Sequence, residues 1–373
     1  MDTGLYVHIP FCIQKCLYCD FPSYPLGHLA ESYLQALGKE AEQYRNLKVD
    51  VSSVYIGGGT PTSLTPDQLE RLLAMLHRSF SLCKDAEFTV EANPGTVTAE
   101  KLKVLRRGNV NRLSFGVQAF QAELLKKLGR LHGVEDVYTS YKLARDAGFA
   151  KINLDLMSGL PGQTLDMWLE TLNRAVELGP EHIAAYNLKV EAGTPFACQE
   201  QAGLLPLPDE DTAVAMLEAA NGVLKSAGYE HYEISNYAKS GFQSRHNLRY
   251  WHNESYIGIG SAAWSYWADC RRGNTPDVMQ YIEAMERGLA ASIEQEKPNL
   301  RQTMDETMML GLRLTAGVNR LQFKVRFGFD PVDVYWGSIE KLQKLQLLEV
   351  TEETLRLTYK GLPLANEVFA EFV

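Results

Sequence analysis

The stretch Leu5-Tyr-Val-His-Ile-Pro-Phe-Cys12-Ile-Gln-Lys-Cys16-Leu-Tyr18-Cys19-Asp20-Phe21 runs a short apolar and β-branched segment straight into three cysteines. Residues 5–9 read as a strand, which puts the thiols on the loop just past its C-terminal end. Their spacing, Cys-x3-Cys-x2-Cys, is the part that carries chemistry. A four-iron, four-sulfur cubane normally takes four cysteines, one per iron. Three neighbouring thiolates leave one iron open to a ligand that the polypeptide does not supply.

Other readings of the cysteines weigh less. Six cysteines in 373 residues, with no secretory segment before them, do not make a disulfide framework. A structural zinc site would want a fourth ligand, which His8 or Asp20 could provide, and usually two separated ligand pairs. Spacing alone leaves that alternative standing. Cys83, Cys198 and Cys270 are isolated and read as small buried hydrophobes.

The chain carries 46 acidic and 37 basic residues, a net charge of −9 and a pI near 5.5. That balance does not favour a nucleic-acid surface. No apolar run approaches the roughly 18–20 residues of a membrane span, and no export signal is evident. Reduced thiols and the lack of a signal fit the cytoplasm, with peripheral contact at a membrane left open.

Outward from the cysteines, β-branched or aromatic runs alternate with amphipathic ones at intervals of roughly 30 residues, as in βα units. Strands are expected over 5–9, 53–56, 87–90, 112–115, 151–156 and 182–187. Helices are expected over 29–44, 66–79, 99–107, 134–147 and 165–178. The class is α/β, with parallel strands and right-handed crossovers. Six such units make either a doubly wound sheet or an incomplete barrel, and both place the active site beyond the C-terminal strand ends. Cys12, Gly57, Glu91, Gly116 and the Ser158-Gly159 turn all fall there.

After residue 187 the alternation weakens into a helix over 206–228 and an aromatic, polar stretch over 229–267. From about residue 300, three short helices (304–314, 321–327, 332–345) and a hairpin (347–350, 354–358) read as a winged-helix-like α+β appendix. It lacks a strong basic face, which argues against DNA binding. The expected division is 1–230, a connecting region 231–298, and 299–373.

The second strand runs into Gly57-Gly58-Gly59-Thr60-Pro61-Thr62. Successive glycines allow close backbone approach to a ligand, while the Lys-Ser/Thr ending of a phosphate-binding loop is missing. Together with Tyr6-Val-His-Ile-Pro-Phe-Cys12-x3-Cys16-x-Tyr18-Cys19, this loop resembles radical S-adenosylmethionine enzymes of the coproporphyrinogen dehydrogenase-like group. The likeness covers nearly the whole chain and includes Glu91-Ala-Asn-Pro94, Ser114-Phe-Gly-Val-Gln118, Gly129-Arg130 and Leu154-Asp155-Leu-Met-Ser-Gly-Leu-Pro161.

The resemblance implies an incomplete (βα)6 TIM-like radical SAM barrel with a small C-terminal domain. It implies a 4Fe–4S cluster held by Cys12, Cys16 and Cys19, whose fourth iron is chelated by the amino and carboxylate groups of S-adenosylmethionine. Gly58, Gly59 and Thr60 would meet the methionine end, and Arg130 would pair with its carboxylate. Glu91, Gln118 and Asp155 would line the ribose and nearby polar groups, with Tyr6 and Tyr18 flanking cluster and adenine.

Two departures bear on the branch. The oxidase pattern has a fourth cysteine two positions after the third, where this chain has Cys19-Asp20-Phe21, and a long N-terminal arm, where only a few residues here precede the first strand. The segment His246-Asn-Leu-Arg-Tyr250-Trp251 sets an imidazole beside flat aromatic faces, as iron and a macrocycle would want. It matches the His-Asn-x-x-Tyr-Trp signature of the HemW-type heme-chaperone branch of this family. That resemblance implies heme as a third cofactor, with His246, Tyr250 and Trp251 as its candidate residues. It also implies apo-hemoprotein acceptors (membrane respiratory proteins among them) and a homodimer. The competing expectation is an oxygen-independent coproporphyrinogen III oxidase.

Overall fold

The computed structural model describes residues 2–47 and 49–373. Six strands form the expected parallel series: β1 (Asp2–Ile9), β2 (Asp50–Gly58), β3 (Ser81–Ala92), β4 (Arg112–Gln118), β5 (Lys151–Ser158) and β6 (His182–Asn187). They lie side by side in chain order, each parallel to the next. The helices Ala30–Glu42, Pro66–Ser79, Ala99–Arg107, Val134–Asp146 and Leu165–Leu178 connect them. Local chemistry fixes their starts. Thr65 and Gln68 close a capping box on the second, and the Thr98 and Thr164 hydroxyls cap the third and the last.

The stretch 229–267 and its surroundings hold more order than the sequence announces. Six further short strands flank the parallel series: β7 (Glu230–Glu233), β8 (Asn236–Ala238), β9 (Tyr256–Ile259), β10 (Trp264–Trp267), β11 (Cys270–Asn274) and β12 (Ser292–Glu296). The result is one mixed sheet of twelve, ordered β12-β11-β10-β9-β1-β2-β3-β4-β5-β6-β8-β7. Residues 231–298 are thus woven into both margins of the sheet. Two helices, Ala122–Lys127 and Pro195–Gln201, also lie outside the expected list.

Period-2 alternation sorts the central strands into two faces. Leu5, Val7, Ile9, Val54, Ile56, Phe88, Val90, Leu113, Phe115, Ile152, Leu154 and Ile183 join one continuous apolar core with the helices. Burying each such side chain contributes about 1.5–3 kcal/mol. The opposite face is polar and still buried: Ser53, Glu87, Thr89, Arg112, Ser114, Gln118, Asn153 and His182 are all at most 5% exposed. Such groups call for partners, and nearly all find one, the Thr89 hydroxyl excepted. Arg112 and Glu87 stand 3.7 Å apart, while Asn153 joins Ser114 (2.7 Å) to His182 (2.5 Å).

The helix Arg245–Trp251 fills the lower part of this polar interior. Gly4, Ser53 and Glu87 share one row across β1, β2 and β3. A Cβ on Gly4 would stand 2.8 Å from Arg249 Cδ, so only glycine admits the helix there. Glu87 accepts from Ser244 Oγ and the His246 amide at the helix start.

The C-terminal residues form a second apolar core that includes Met304, Met308, Leu312, Phe323, Phe327, Ile339, Leu342, Leu355 and Val368. Its helices are Leu300–Gly311, Arg320–Phe327, Pro331–Val334, Trp336–Lys344 and Ala365–Ala370. The single helix expected over 332–345 breaks at Tyr335, whose φ of −116° and ψ of 27° lie outside the helical well. The hairpin β14 (Leu348–Val350) and β15 (Thr354–Leu357) gains a third strand, β13 (Val318–Asn319), in the order β13-β15-β14. Arg271 and Glu306 pair between this unit and β11, and Thr315 N donates to Tyr232 O at 3.1 Å.

Glu40 ties the added strands to the first βα unit. Its buried carboxylate accepts from Gly260 N (2.7 Å), Asn274 Nδ2 (2.7 Å) and Tyr281 Oη (2.6 Å). Glu40→Ala strands the Gly260 N–H and the Tyr281 hydroxyl, while Asn274 Nδ2 keeps Gly260 O at 2.9 Å, and is expected to cost at least about 2 kcal/mol, read as a fall in Tm of a few degrees. Glu40→Gln, which keeps an acceptor oxygen, should cost much less; equal losses would show that the site only needs volume.

Candidate functional site

A cavity of about 410 Å³ opens at the C-terminal ends of β1–β6. Cys12, Cys16, Cys19, Tyr18, Gly58, Gly59, Thr60, Glu91, Gln118, Arg130 and Asp155 all line it. Of the residues singled out for cluster and nucleoside, only Tyr6 lies elsewhere. It borders an adjoining cavity of about 210 Å³ with Phe21, Tyr55, Gly58, Glu91, His246, Asn247 and Tyr250.

The thiols are free and partly accessible. Cys12 Sγ stands 3.5 Å from Thr60 Oγ1, Cys16 Sγ 3.6 Å from Arg130 Nη1 and Cys19 Sγ 3.9 Å from Ser23 Oγ. Burial pushes the Cys19 thiol above its ordinary range. Among the described residues no three His, Cys, Asp or Glu side chains converge as a single metal ion would require. His8, weighed as a fourth zinc ligand, has both ring nitrogens engaged, to Tyr6 Oη at 3.0 Å and Pro22 O at 2.9 Å.

The cysteine loop and the glycine loop are joined main chain to main chain. Gly59 N donates to Ile9 O (2.8 Å) and Thr60 N to Phe11 O (2.7 Å). The three glycines answer to this packing. A Cβ would stand 2.8 Å from Glu91 Cδ at Gly57, 2.3 Å from the His8 ring at Gly58, and 2.6 Å from Phe11 O at Gly59. Gly58 also has φ +106°, which a side chain rarely tolerates.

Arg130 is the central charge of the cavity. Its guanidinium donates to Asn93 Oδ1 (2.6 Å) and to the Gly116 carbonyl as well as approaching Cys16. Among the described residues no carboxylate lies within ion-pair distance of it. A walled-in guanidinium without an anion is an anion site in waiting. Loss of water lowers its readiness to stay charged, and the neighbouring Tyr18 and Cys16 act in the opposite direction and prevail.

Opposite it, Glu91 accepts from Tyr55 Oη (2.8 Å) and Gly58 N (3.1 Å), and Asp155 accepts from Asn153 Nδ2 (2.7 Å) and Ser114 Oγ (3.2 Å). Desolvation raises their pKa values to about 7 and about 6. Gln118 sits at φ +70°, where β4 slips register against β5, and its Oε1 accepts from Tyr186 Oη at 2.8 Å. A non-glycine residue held there is strained, and the strain turns the amide into the cavity. Tyr18 packs against Phe196 with ring centres 6.4 Å apart.

Asn93, Tyr55 and Tyr186 belong to this site and escaped the sequence reading. Asn93 bridges Arg130 and Thr60 (2.8 Å). Tyr55 and Tyr186 fall at the polar parity of their strands, a signal that alternation alone could have supplied.

The candidate heme residues are divided. His246 is 1% exposed; Nδ1 meets Ser53 Oγ at 3.0 Å and Nε2 meets Tyr250 Oη at 2.8 Å. Burial drops its pKa to about 3, with Arg249 contributing. The ring stacks on Tyr55 (5.4 Å), which connects it to Glu91 and the upper cavity. The imidazole expected to face iron is therefore fully occupied within the protein. Trp251 points away from this pair and lines a different cleft.

Comparison with known proteins accords with this geometry. Residues 6–175 match the radical SAM superfamily, and residues 299–364 match the HemN C-terminal domain. The heme chaperone HemW of Bacillus subtilis is 42% identical over 99% of this chain and 98% of its own length. The HemW of Escherichia coli is 43% identical over 70% of this chain and 69% of its own. Among solved structures, the radical SAM coproporphyrinogen III oxidase HemN of Escherichia coli superimposes with a TM-score of 0.88 at 26% identity, covering 99% of this chain and 89% of that one. The three-thiol loop, the glycine loop beside it and a full-length relationship to HemW proteins lead to one assignment: this chain belongs to the HemW family of the radical SAM superfamily.

Proposed function

We propose that the protein is a heme chaperone that binds heme and passes it to apo-hemoproteins, respiratory ones among them, while carrying a 4Fe–4S cluster and S-adenosylmethionine. The observation that carries this reading is the full-length relationship to HemW proteins combined with three free thiols on one cavity. The six parallel strands would curve as a partial barrel around the polar interior, with residues 1–230 bearing the cofactors, 231–298 bracing the sheet and 299–373 forming the appendix. Free thiols suit a reducing cytoplasm, and among the described residues no helix is long and apolar enough to cross a membrane.

The donor set fits the implied cofactors. Cys12, Cys16 and Cys19 would hold the cluster, and Arg130, lacking an internal counter-ion, would receive the methionine carboxylate. Glu91, Gln118 and Asp155 would accept from ribose hydroxyls and Gly58, Gly59 and Thr60 would border the methionine, with Tyr18 beside the adenine and Tyr6 under the glycine loop. When bound, the cluster supplies an electron for reductive cleavage of the sulfonium. Heme transfer by itself needs no such cleavage.

The second reading, an oxygen-independent coproporphyrinogen III oxidase, draws on the superposition with HemN. Anaerobically reconstituted protein is expected to bind heme with a shifted Soret band and to yield no protoporphyrinogen from coproporphyrinogen, S-adenosylmethionine and a reductant. Product in that assay would reverse the order of the two readings. Replacing Cys12, Cys16 and Cys19 with alanine is expected to abolish the broad visible absorption of the reconstituted cluster; its persistence would sink the ligand assignment.

The raised carboxyls add a pH signature. Glu91 moves from an ordinary 4.5 to about 7, so its contribution to stability is whole below pH 4.5, falls as pH climbs and is gone above about 7. Glu91→Gln should therefore raise the Tm of the apo protein above pH 7 and leave it unaltered below 4.5. A pH-independent offset between the two proteins would refute the shifted carboxyl.

A further inference from the structure

Beneath the cofactor cavity, on the side of the C-terminal unit, lies a cleft of about 820 Å³, twice the size of the one at the cysteines. Buried ligand sites span roughly 300–1,000 Å³. The 210 Å³ space beside His246 falls below that range, and this cleft sits inside it. Its wall includes Arg249, Trp251, His252, Val318, Phe323 and Arg326.

Three groups on that wall are available to a ligand, and one of them, the Trp251 N–H, is buried without an acceptor. His252, next in the chain after Trp251, is exposed, and its ring makes no hydrogen bond among the described residues. Its main chain is firmly placed all the same, because its amide donates to Leu248 O at 2.9 Å and its carbonyl accepts from Arg326 Nη1 at 3.0 Å. The Arg326 guanidinium also donates to Asn253 O (2.8 Å), yet among the described residues no carboxylate reaches it within ion-pair distance. Of the three acids on this wall, Arg249 holds Asp2 at 3.0 Å and Glu254 at 3.3 Å, and Asp269 makes no ion pair with Arg326.

We infer that this cleft is the heme site. His252 supplies the axial imidazole, Arg326 receives a propionate, and Trp251 and Phe323 border the macrocycle. The inference rests on the heme-chaperone reading and moves its iron ligand from His246 to His252. An accessible imidazole with no hydrogen bond can ligate iron without breaking anything. His246 would first have to give up Ser53 or Tyr250 inside a packed interior. The His-Asn-x-x-Tyr-Trp helix then has two tasks: His246 and Tyr250 support the floor of the cofactor cavity, and the helix end presents Trp251 and His252 to heme. A guanidinium with no carboxylate in reach, beside an exposed imidazole and aromatic side chains, suits a planar, dianionic metalloporphyrin.

The test is titration of hemin into the full chain with reconstituted cluster, followed by the Soret band, for wild type, His252→Ala, His246→Phe and Arg326→Gln. His252→Ala should weaken heme binding about tenfold or more and lose the wild-type Soret position, with free imidazole restoring that position. Arg326→Gln should weaken binding without moving the band. His246→Phe should retain the band. Near-ultraviolet circular dichroism of each variant separates lost ligation from lost folding. If wild type binds heme and His252→Ala binds it unchanged, the cleft is the wrong site and the chaperone reading survives. If wild type takes up no heme, the chaperone reading itself fails.

Discussion

A parallel sheet with one polar face buried is a demanding arrangement, and the rest of this structure follows from satisfying it. Each buried donor or acceptor left alone costs about 1–3 kcal/mol, so the inward side chains of β1–β6 have to find one another or be reached by something else. Glu91, Ser114, Asn153 and His182 occupy one row across four strands, and the last three answer each other directly. Lower down, Glu87 and Arg112 neutralise each other, and the helix Arg245–Trp251 supplies the remaining partners. At the upper rim the pairing stops. Among the described residues Arg130 has no carboxylate partner, and the Glu91 and Asp155 carboxyls are raised by burial, so charge is left unbalanced where the cavity opens.

The central strands are legible in the sequence because each is a β-branched or aromatic run closed by glycine, proline or a polar cap. The marginal ones are not. Glu230–Glu233 and Ser292–Glu296 are short and polar on both faces, so their pairing is decided by the neighbour and not by their own composition. The candidate cofactor residues Glu91, Gln118 and Asp155 share one cavity because they lie at or near the ends of consecutive strands, a placement βα alternation makes legible, while Arg130 and Tyr18 lie on loops and were named only through the family resemblance. The surroundings of His246 were not readable. Its burial depends on Gly4, Ser53 and Glu87 arriving from three strands at one level, a register no local pattern reveals. A histidine between aromatic residues reads the same whether it faces water or a packed interior.

The superposition with HemN and the relationship to HemW proteins both run over 99% of the chain. The cavity at the cysteines uses parts that a radical SAM oxidase and a chaperone could share. Arg326 clamps the carbonyls of His252 and Asn253, so the position of the appendix and the position of His252 are a single variable.

The lacing of residues 59 and 60 onto the carbonyls of residues 9 and 11 gives the two loops one mechanical fate. Any displacement of the cysteine loop would tug on the backbone bordering the cavity, and through Gly58 N and Glu91 on the Tyr55–His246 stack beneath it. A shift of either loop would thereby be felt across the whole upper rim.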